Sequence, residues 1–208
     1  MSEPQERVRI EDEAESWPVE SSTEQLRNWL ITVRTDKVRM PDNHCAERSV
    51  VTHPGAVAVL VLDDAQRVLM IRQYRHPVGR QLWEIPAGLR DFDGESPLQT
   101  AQRELLEETG YRARDWDTLV DYFTSPGFTT ERMRIFLARG LERADEHGHE
   151  REGEEKYIVT DWVELAEAVR LVLAGKLHNS AAIAGILAGY AAGIQGFSGL
   201  RPATAPET

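Results

Sequence analysis

Three glutamates, Glu104, Glu107 and Glu108, stand in a segment whose apolar residues Leu98, Ala101 and Leu105 recur three and four positions apart. That spacing is helical. It sets the carboxylates within an arc of ~100° away from the apolar stripe. Like charges so placed cost roughly a few tenths of a kcal/mol per pair on an exposed helix, and Arg103, one turn before Glu107, relieves only part of this. Two readings follow: a solvated acidic face, or a ligand set for a hard divalent cation. Carboxylate oxygens suit Mg²⁺ or Mn²⁺, which also bind phosphate, whereas Zn²⁺ more often comes with Cys or His ligands.

The elements that would hold these groups can be read outward from that helix. Ser96-Pro97-Leu98-Gln99 has Ser at the N-cap, Pro at N1 and Gln at N3, and Gly110 suits the C′ position, which predicts a helix over 97–109. Strands are expected at 55–62, 68–74, 82–85, 119–123, 132–138 and 157–163, with a turn at 63–66 and further helices at 164–173 and about 180–194. Strands and helices mix without strict alternation, so the fold class is α+β, or α/β with a mixed sheet. Residues 1–20 are acidic and short of large apolar groups and are expected to be largely mobile. Residues 21–52 carry alternating strand character in 29–40 and 47–51 around Pro41-Asp42-Asn43, and read as a small antiparallel β appendage. Residues 53–195 form the main domain, and 196–208, rich in Pro, Ala and Thr, are expected to be a disordered tail.

At 208 residues, with 41% hydrophobic and 28% charged, the chain can bury a core and is neither collagen-like nor wholly disordered. A formal charge of −11 disfavours nucleic acid as a partner, so an anionic ligand needs local neutralisation. Arg72-Gln-Tyr-Arg-His-Pro-Val-Gly-Arg80 is one of the few basic stretches that could provide it. Cys45 is the only cysteine, which excludes an intrachain disulfide framework, and the N-terminus has no secretory pattern; both lead to an expectation of a cytoplasmic protein. The uncharged segment 179–200 has an apolar core only from Ala181 to Ile194 and reads as a buried helix rather than a membrane span.

Gly88, Glu95, Arg103, Glu104, Leu105, Glu107, Glu108 and Gly110 together resemble the Nudix box, G-x5-E-x7-R-E-U-x-E-E-x-G-U with U apolar. Seven fixed identities at ~6% each would match by chance in a chain this long about once in a million. Six residues rather than five separate Gly88 from Glu95, and Tyr111 fills the closing apolar position. The additional residue lies in the segment 89–94, read as a loop, where an insertion is cheap and leaves the helical spacing unchanged. The resemblance spans about 17–187 and is closest to bacterial ADP-ribose pyrophosphatases, through Gln73-Tyr-Arg75, Leu82-Trp-Glu-Ile-Pro-Ala-Gly88 and Ser125-Pro-Gly-Phe128. Pro126 follows the box by fifteen residues, where that subfamily typically has proline.

The resemblance implies an α/β/α sandwich with a mixed sheet that hydrolyses ADP-ribose to AMP and ribose 5-phosphate with Mg²⁺ or Mn²⁺. It implies Glu104 and Glu108 as principal metal ligands, Glu107 assisting, the backbone carbonyl of Ala87 completing one coordination sphere, and Arg103 orienting the glutamates. A glutamate beyond the box would act as base or further ligand. Glu155 is favoured for this, with Glu154 and Glu152 as competitors; His147 and His149 nearby lack the Cys neighbours of a zinc site. Arg48 and Arg75 would contact phosphate or adenosine, Glu84 ribose, and Trp83 adenine, with Pro126 also at the substrate site. Family members resemble domain-swapped homodimers, and the appendage is a candidate for the exchange. The box leaves open another nucleoside diphosphate sugar or dinucleotide, such as GDP-mannose or NADH, or a non-catalytic ADP-ribose sensor.

Overall fold

The computed structural model describes residues 10–144 and 156–207. The chain divides between Val51 and Thr52 into two compact units. In the first, β1 (Val19–Arg27), β2 (Thr32–Arg39) and β3 (Cys45–Thr52) form a sheet in that order, with β1 and β2 antiparallel. The turn into β3 uses Asn43 in the left-handed region (φ 64°), and Asp42 accepts a hydrogen bond from the His44 amide. β1 begins at the end of the stretch expected to be mobile and was not separately expected, because every one of its nine residues is exposed and it has no buried face to set a pattern.

The second unit is organised by β4 (Ala56–Val61), whose six residues are all buried. Alternate β4 side chains enter two cores. Ala56, Ala58 and Leu60 join Met133, Ile135 and Leu137 beneath two helices, α2 (Leu165–Leu173) and α3 (Ser180–Ile194). Val57, Val59 and Val61 join Phe136, Ala138 and the Ala101 and Leu105 side chains of α1 (Pro97–Thr109) on the other face. A strand buried on both faces reads as a continuous apolar run, which Ala56–Val61 is.

Besides β4, the larger sheet contains β7 (Ala87–Leu89), β8 (Tyr111–Phe123), β9 (Arg132–Arg143) and β11 (Arg201–Pro202), in the order β11-β8-β9-β4-β7. β4 runs parallel to β9 and antiparallel to β7. The smaller sheet contains β5 (Arg67–Arg75), β6 (Arg80–Glu84) and β10 (Val159–Glu164), in the order β10-β5-β6, with a 3₁₀ turn at His76–Val78 joining β5 to β6. The unit is a mixed-sheet α/β/α arrangement, as expected.

Three features of this unit differ from the sequence reading. β8 starts directly after Gly110 rather than at Leu119, and pairs with β9 along its whole length through one register shift near Leu119. β7 is a three-residue edge strand too short to show a periodicity. The segment after Gly196, expected to be disordered, pairs with β8 through Arg201 and Pro202 and places Ala203 against the α1-side core. Gly185 and Gly189 serve packing within the unit: an added Cβ would lie 2.9 Å from Ile85 Cδ1 and 2.1 Å from Leu60 Cδ2, respectively. No helix among the described residues is long and apolar enough to cross a membrane.

Candidate active site

The capping box forms as its residues require: the Gln99 amide donates to Ser96 Oγ, and the Ser96 amide donates to Gln99 Oε1. Gly110 closes the helix at φ 73°, and its N–H donates to the Leu106 carbonyl. With both ends fixed, α1 turns Glu104 and Glu108, one turn apart, toward β7. Both are buried, at 9% and 4% exposure. Glu108 Oε2 accepts the Ala87 N–H at 2.9 Å. Glu104 lies where a side chain on Gly88 would be, with its carboxyl carbon 2.0 Å from the position of an added Cβ. A glycine is therefore required at position 88 to let the carboxylate reach the strand.

Arg103 gathers the remaining acids. Its Nη1 donates to Glu104 Oε1 at 2.6 Å and to Glu107 Oε2 at 2.9 Å, while Nε and Nη2 donate to Glu95 at 3.2 Å. Thr100 Oγ1 also donates to Glu95, and the Arg103 guanidinium lies 4.7 Å from the centre of the Phe92 ring. Burial alone would disfavour the charge on Arg103, but the hydrogen bond to Glu95, the charge of Glu104 and the bond to Glu107 outweigh it and raise its pKa. The Arg103 hydrogen bond in turn holds the Glu95 carboxyl below the usual range, against a smaller opposing effect of burial. Tyr111, the departure at the closing box position, packs edge-on against Trp162 at 5.9 Å and so still fills an apolar place.

Next to this cluster lies a cleft of about 450 Å³. Ala87, Gly88, Arg75 and Glu84 line it, with Glu131 and His178 among the other lining residues. Glu84 is fully buried and paired with Arg75 through two hydrogen bonds, 2.9 and 2.6 Å. Trp83, one residue earlier on β6, is not among the residues lining this cleft. It borders a separate cavity with Met70, Leu171 and Leu177, and the Arg72 guanidinium lies 5.4 Å from its ring. Pro126 is exposed at the tip of the β8–β9 connection, two residues beyond the cleft residue Thr124. Arg48 is exposed on β3 of the first unit, where its guanidinium donates to the Glu47 carbonyl. Glu152, Glu154, Glu155, His147 and His149 lie outside the described residues.

The fold thus joins Ala87, Gly88, Arg103, Glu104, Glu107 and Glu108 in one cluster, beside the Arg75–Glu84 pair. The cleft residues His178 and Glu131 were not singled out from sequence, and no motif marks them. Among the described residues no group of three His, Cys, Asp or Glu side chains stands ready to hold a metal ion. Arg103 Nη1 instead bridges Glu104 and Glu107. The donor set itself, two buried carboxylates against a backbone strand with a third close by, is all oxygen and fits a hard divalent cation.

Residues 52–183 match the profile of the NUDIX domain. The chain belongs to the Nudix family. Its relatives include a Mycobacterium tuberculosis ADP-ribose pyrophosphatase, 47% identical over 83% of this chain and 82% of that protein. A second relative, an ADP-ribose pyrophosphatase of Bacillus subtilis, is 38% identical over 73% and 80%. Among solved structures, one described as an ADP compounds hydrolase superposes with a TM-score of 0.73 at 20% identity, covering 90% of this Nudix chain and 99% of that one, which supports the fold.

Proposed function

We propose that this Nudix protein hydrolyses ADP-ribose to AMP and ribose 5-phosphate, using Mg²⁺ or Mn²⁺. The observation that carries the reading is the pair of buried carboxylates, Glu104 and Glu108, held against Ala87 and Gly88 at the wall of the cleft. The names of the two bacterial relatives support the choice of substrate.

Water adds to one phosphorus, the bridging P–O bond breaks, and the proton lost by water passes to a base. A bound divalent cation would neutralise phosphate charge and make its water more acidic. Glu104 and Glu108 would hold it, with Glu107 and the Ala87 carbonyl assisting. Arg103 fixes the glutamate side chains by its hydrogen bonds, a positioning role. The Arg75–Glu84 pair presents one guanidinium and one carboxylate at the cleft. We assign Arg75 to an anionic part of the substrate and Glu84 to ribose hydroxyls. Arg48 is assigned to phosphate or adenosine, Trp83 to adenine, and Pro126 to the substrate site. Glu155 is our choice of base, ahead of Glu154 and Glu152.

We further infer a cytoplasmic homodimer in which the first unit of one subunit completes the substrate site of the other. Single-cysteine usage supports the compartment, and the separate three-stranded first unit supports the exchange.

Incubation with ADP-ribose and Mg²⁺ in ¹⁸O-labelled water, with an EDTA control, tests the reading. Metal-dependent AMP and ribose 5-phosphate are expected, and the label identifies the phosphorus attacked. Higher kcat/KM on GDP-mannose or NADH would reject the substrate; binding without turnover in either metal would favour a sensor.

A further inference from the structure

The segment from Arg201 to Glu207 is attached to the Nudix unit at four places. Arg201 and Pro202 pair with β8, and Thr118 Oγ1 donates to the Pro202 carbonyl at 3.0 Å. Arg134, itself 2% exposed, donates to the Ala205 and Pro206 carbonyls at 2.7 and 3.0 Å while its Nε and Nη2 hold Asp121. Arg201 reaches the same Asp121 at 2.9 Å. At the far end, Arg90 Nη1 donates to both Glu207 carboxylate oxygens at 2.9 Å.

Arg90 is the first residue beyond β7, and β7 is an edge strand with β4 as its sheet neighbour. Its backbone N–H donates to the Gly55 carbonyl at 3.2 Å, at the start of β4. From Arg90 the chain enters the loop that carries Phe92 and Glu95, both of which engage Arg103. A restraint on Arg90 therefore acts within the segment that joins Gly88 to Glu95, two residues after the first and five before the second. An edge strand of three residues has little pairing of its own to resist opening.

We propose that Arg201–Glu207 is a positioning element for the active site, acting through the Arg90–Glu207 ion pair to hold β7 and the following loop under Glu104 and Glu108. It acts through β7. This rests on the assignment of Glu104 and Glu108 as metal ligands, but the tether can be tested without turnover.

Hydrogen exchange by mass spectrometry on the full chain without metal is the first measurement, comparing the native protein with Glu207→Gln, Arg90→Gln and the reversed pair Arg90→Glu/Glu207→Arg. A partly exposed ion pair leads us to expect exchange in residues 88–95 to rise about two- to fivefold in each single variant and to fall back in the reversed pair. The Mg²⁺ concentration giving half-maximal ADP-ribose turnover should rise by a similar factor, with KM for ADP-ribose at saturating Mg²⁺ unchanged. Unchanged exchange in 88–95 in both single variants overturns the proposal, whatever the thermal midpoint does. A uniform rise across the unit, with no excess at 88–95, overturns it too, as the mark of a merely structural role. A native protein that turns over no ADP-ribose rejects the catalytic reading and leaves the exchange comparison to decide the tether.

Discussion

Gly88 and Glu104 occupy space that could not hold both the glutamate and a larger residue: an added Cβ would meet the Glu104 carboxyl carbon at 2.0 Å, its Oε1 at 2.1 Å and its Cγ at 2.4 Å. The far end of a glutamate can usually swing aside, but here it is buried and held by Arg103. Gly88→Ala should therefore fold and displace the carboxylate. Displacement of a catalytic group by ~1 Å can cost about a hundredfold in rate, so kcat on ADP-ribose should fall by about that factor with little change in the thermal midpoint. Steady-state kinetics beside a thermal melt checks this. Retention of full kcat would mean that Glu104 need not lie against β7.

Arg103 sets the charge balance of the cluster. Arg103→Gln removes hydrogen bonds to Glu95, Glu104 and Glu107 together, and bonds between charged groups are worth roughly 1.5–3 kcal/mol each. Part of that is recovered when the carboxylates rotate into water. We expect a net loss of about 2 kcal/mol in EDTA, smaller in Mg²⁺, because a divalent cation would neutralise the same acids. Urea unfolding in the two conditions reads the difference. An equal loss in both would argue that the cation binds elsewhere.

Much of this site could be read from the chain because it depends on local spacing. The limits of α1 follow from Ser96, Pro97 and Gly110, residues whose capping chemistry acts within a turn or two. β4 was visible because a doubly buried strand needs an unbroken apolar run. β1 was invisible for the opposite reason: Val19–Arg27 buries nothing, so no pattern distinguishes it from a loop. The tail was misread because composition stood in for contacts. Its order depends on Arg134, Asp121 and Arg90, which lie between 71 and 117 residues earlier in the chain, and no local signal reports such partners. Arg75 and Glu84 could each be suspected, but the β5–β6 register sets Glu84 opposite Ile71 and Arg75 opposite Arg80, so their ion pair depends on how far the arginine side chain reaches along the strands.

Packing of α3 gives a prediction separate from catalysis. Gly189→Ala would place a methyl group 2.1 Å from Leu60 Cδ2, and Leu60 is fully buried. Overpacking of this kind costs about 1–3 kcal/mol. Because Gly189 lies away from the cleft residues, kcat per folded molecule should stay within about twofold while stability falls. Chemical denaturation and activity measured on the same samples would show it, and a loss of kcat at unchanged stability would mean that α3 carries more than packing.

Acid should act on the unit through Asp121. Burial pushes its carboxyl up, but the hydrogen bonds from Arg134 and Arg201 outweigh this and hold it below the usual range. A group with a depressed pKa in the folded state contributes its full stability above the unfolded value, about 3.9 for aspartate, and loses it as pH falls through the folded value. Asp121→Asn leaves the Arg134 guanidinium buried without its counter-charge, and breaking such a pair costs about 3 kcal/mol at neutral pH. The gap between native protein and variant should be constant from pH 7 to 5 and narrow below about pH 4, where the Asp121 carboxyl of the unfolded chain takes up a proton while the folded one still resists it. Urea unfolding at pH 7, 5 and 3 measures the gap directly. If it is the same at all three, the Asp121 carboxylate does not contribute through its charge, and the carbonyls of Ala205 and Pro206 would be holding Arg134 alone.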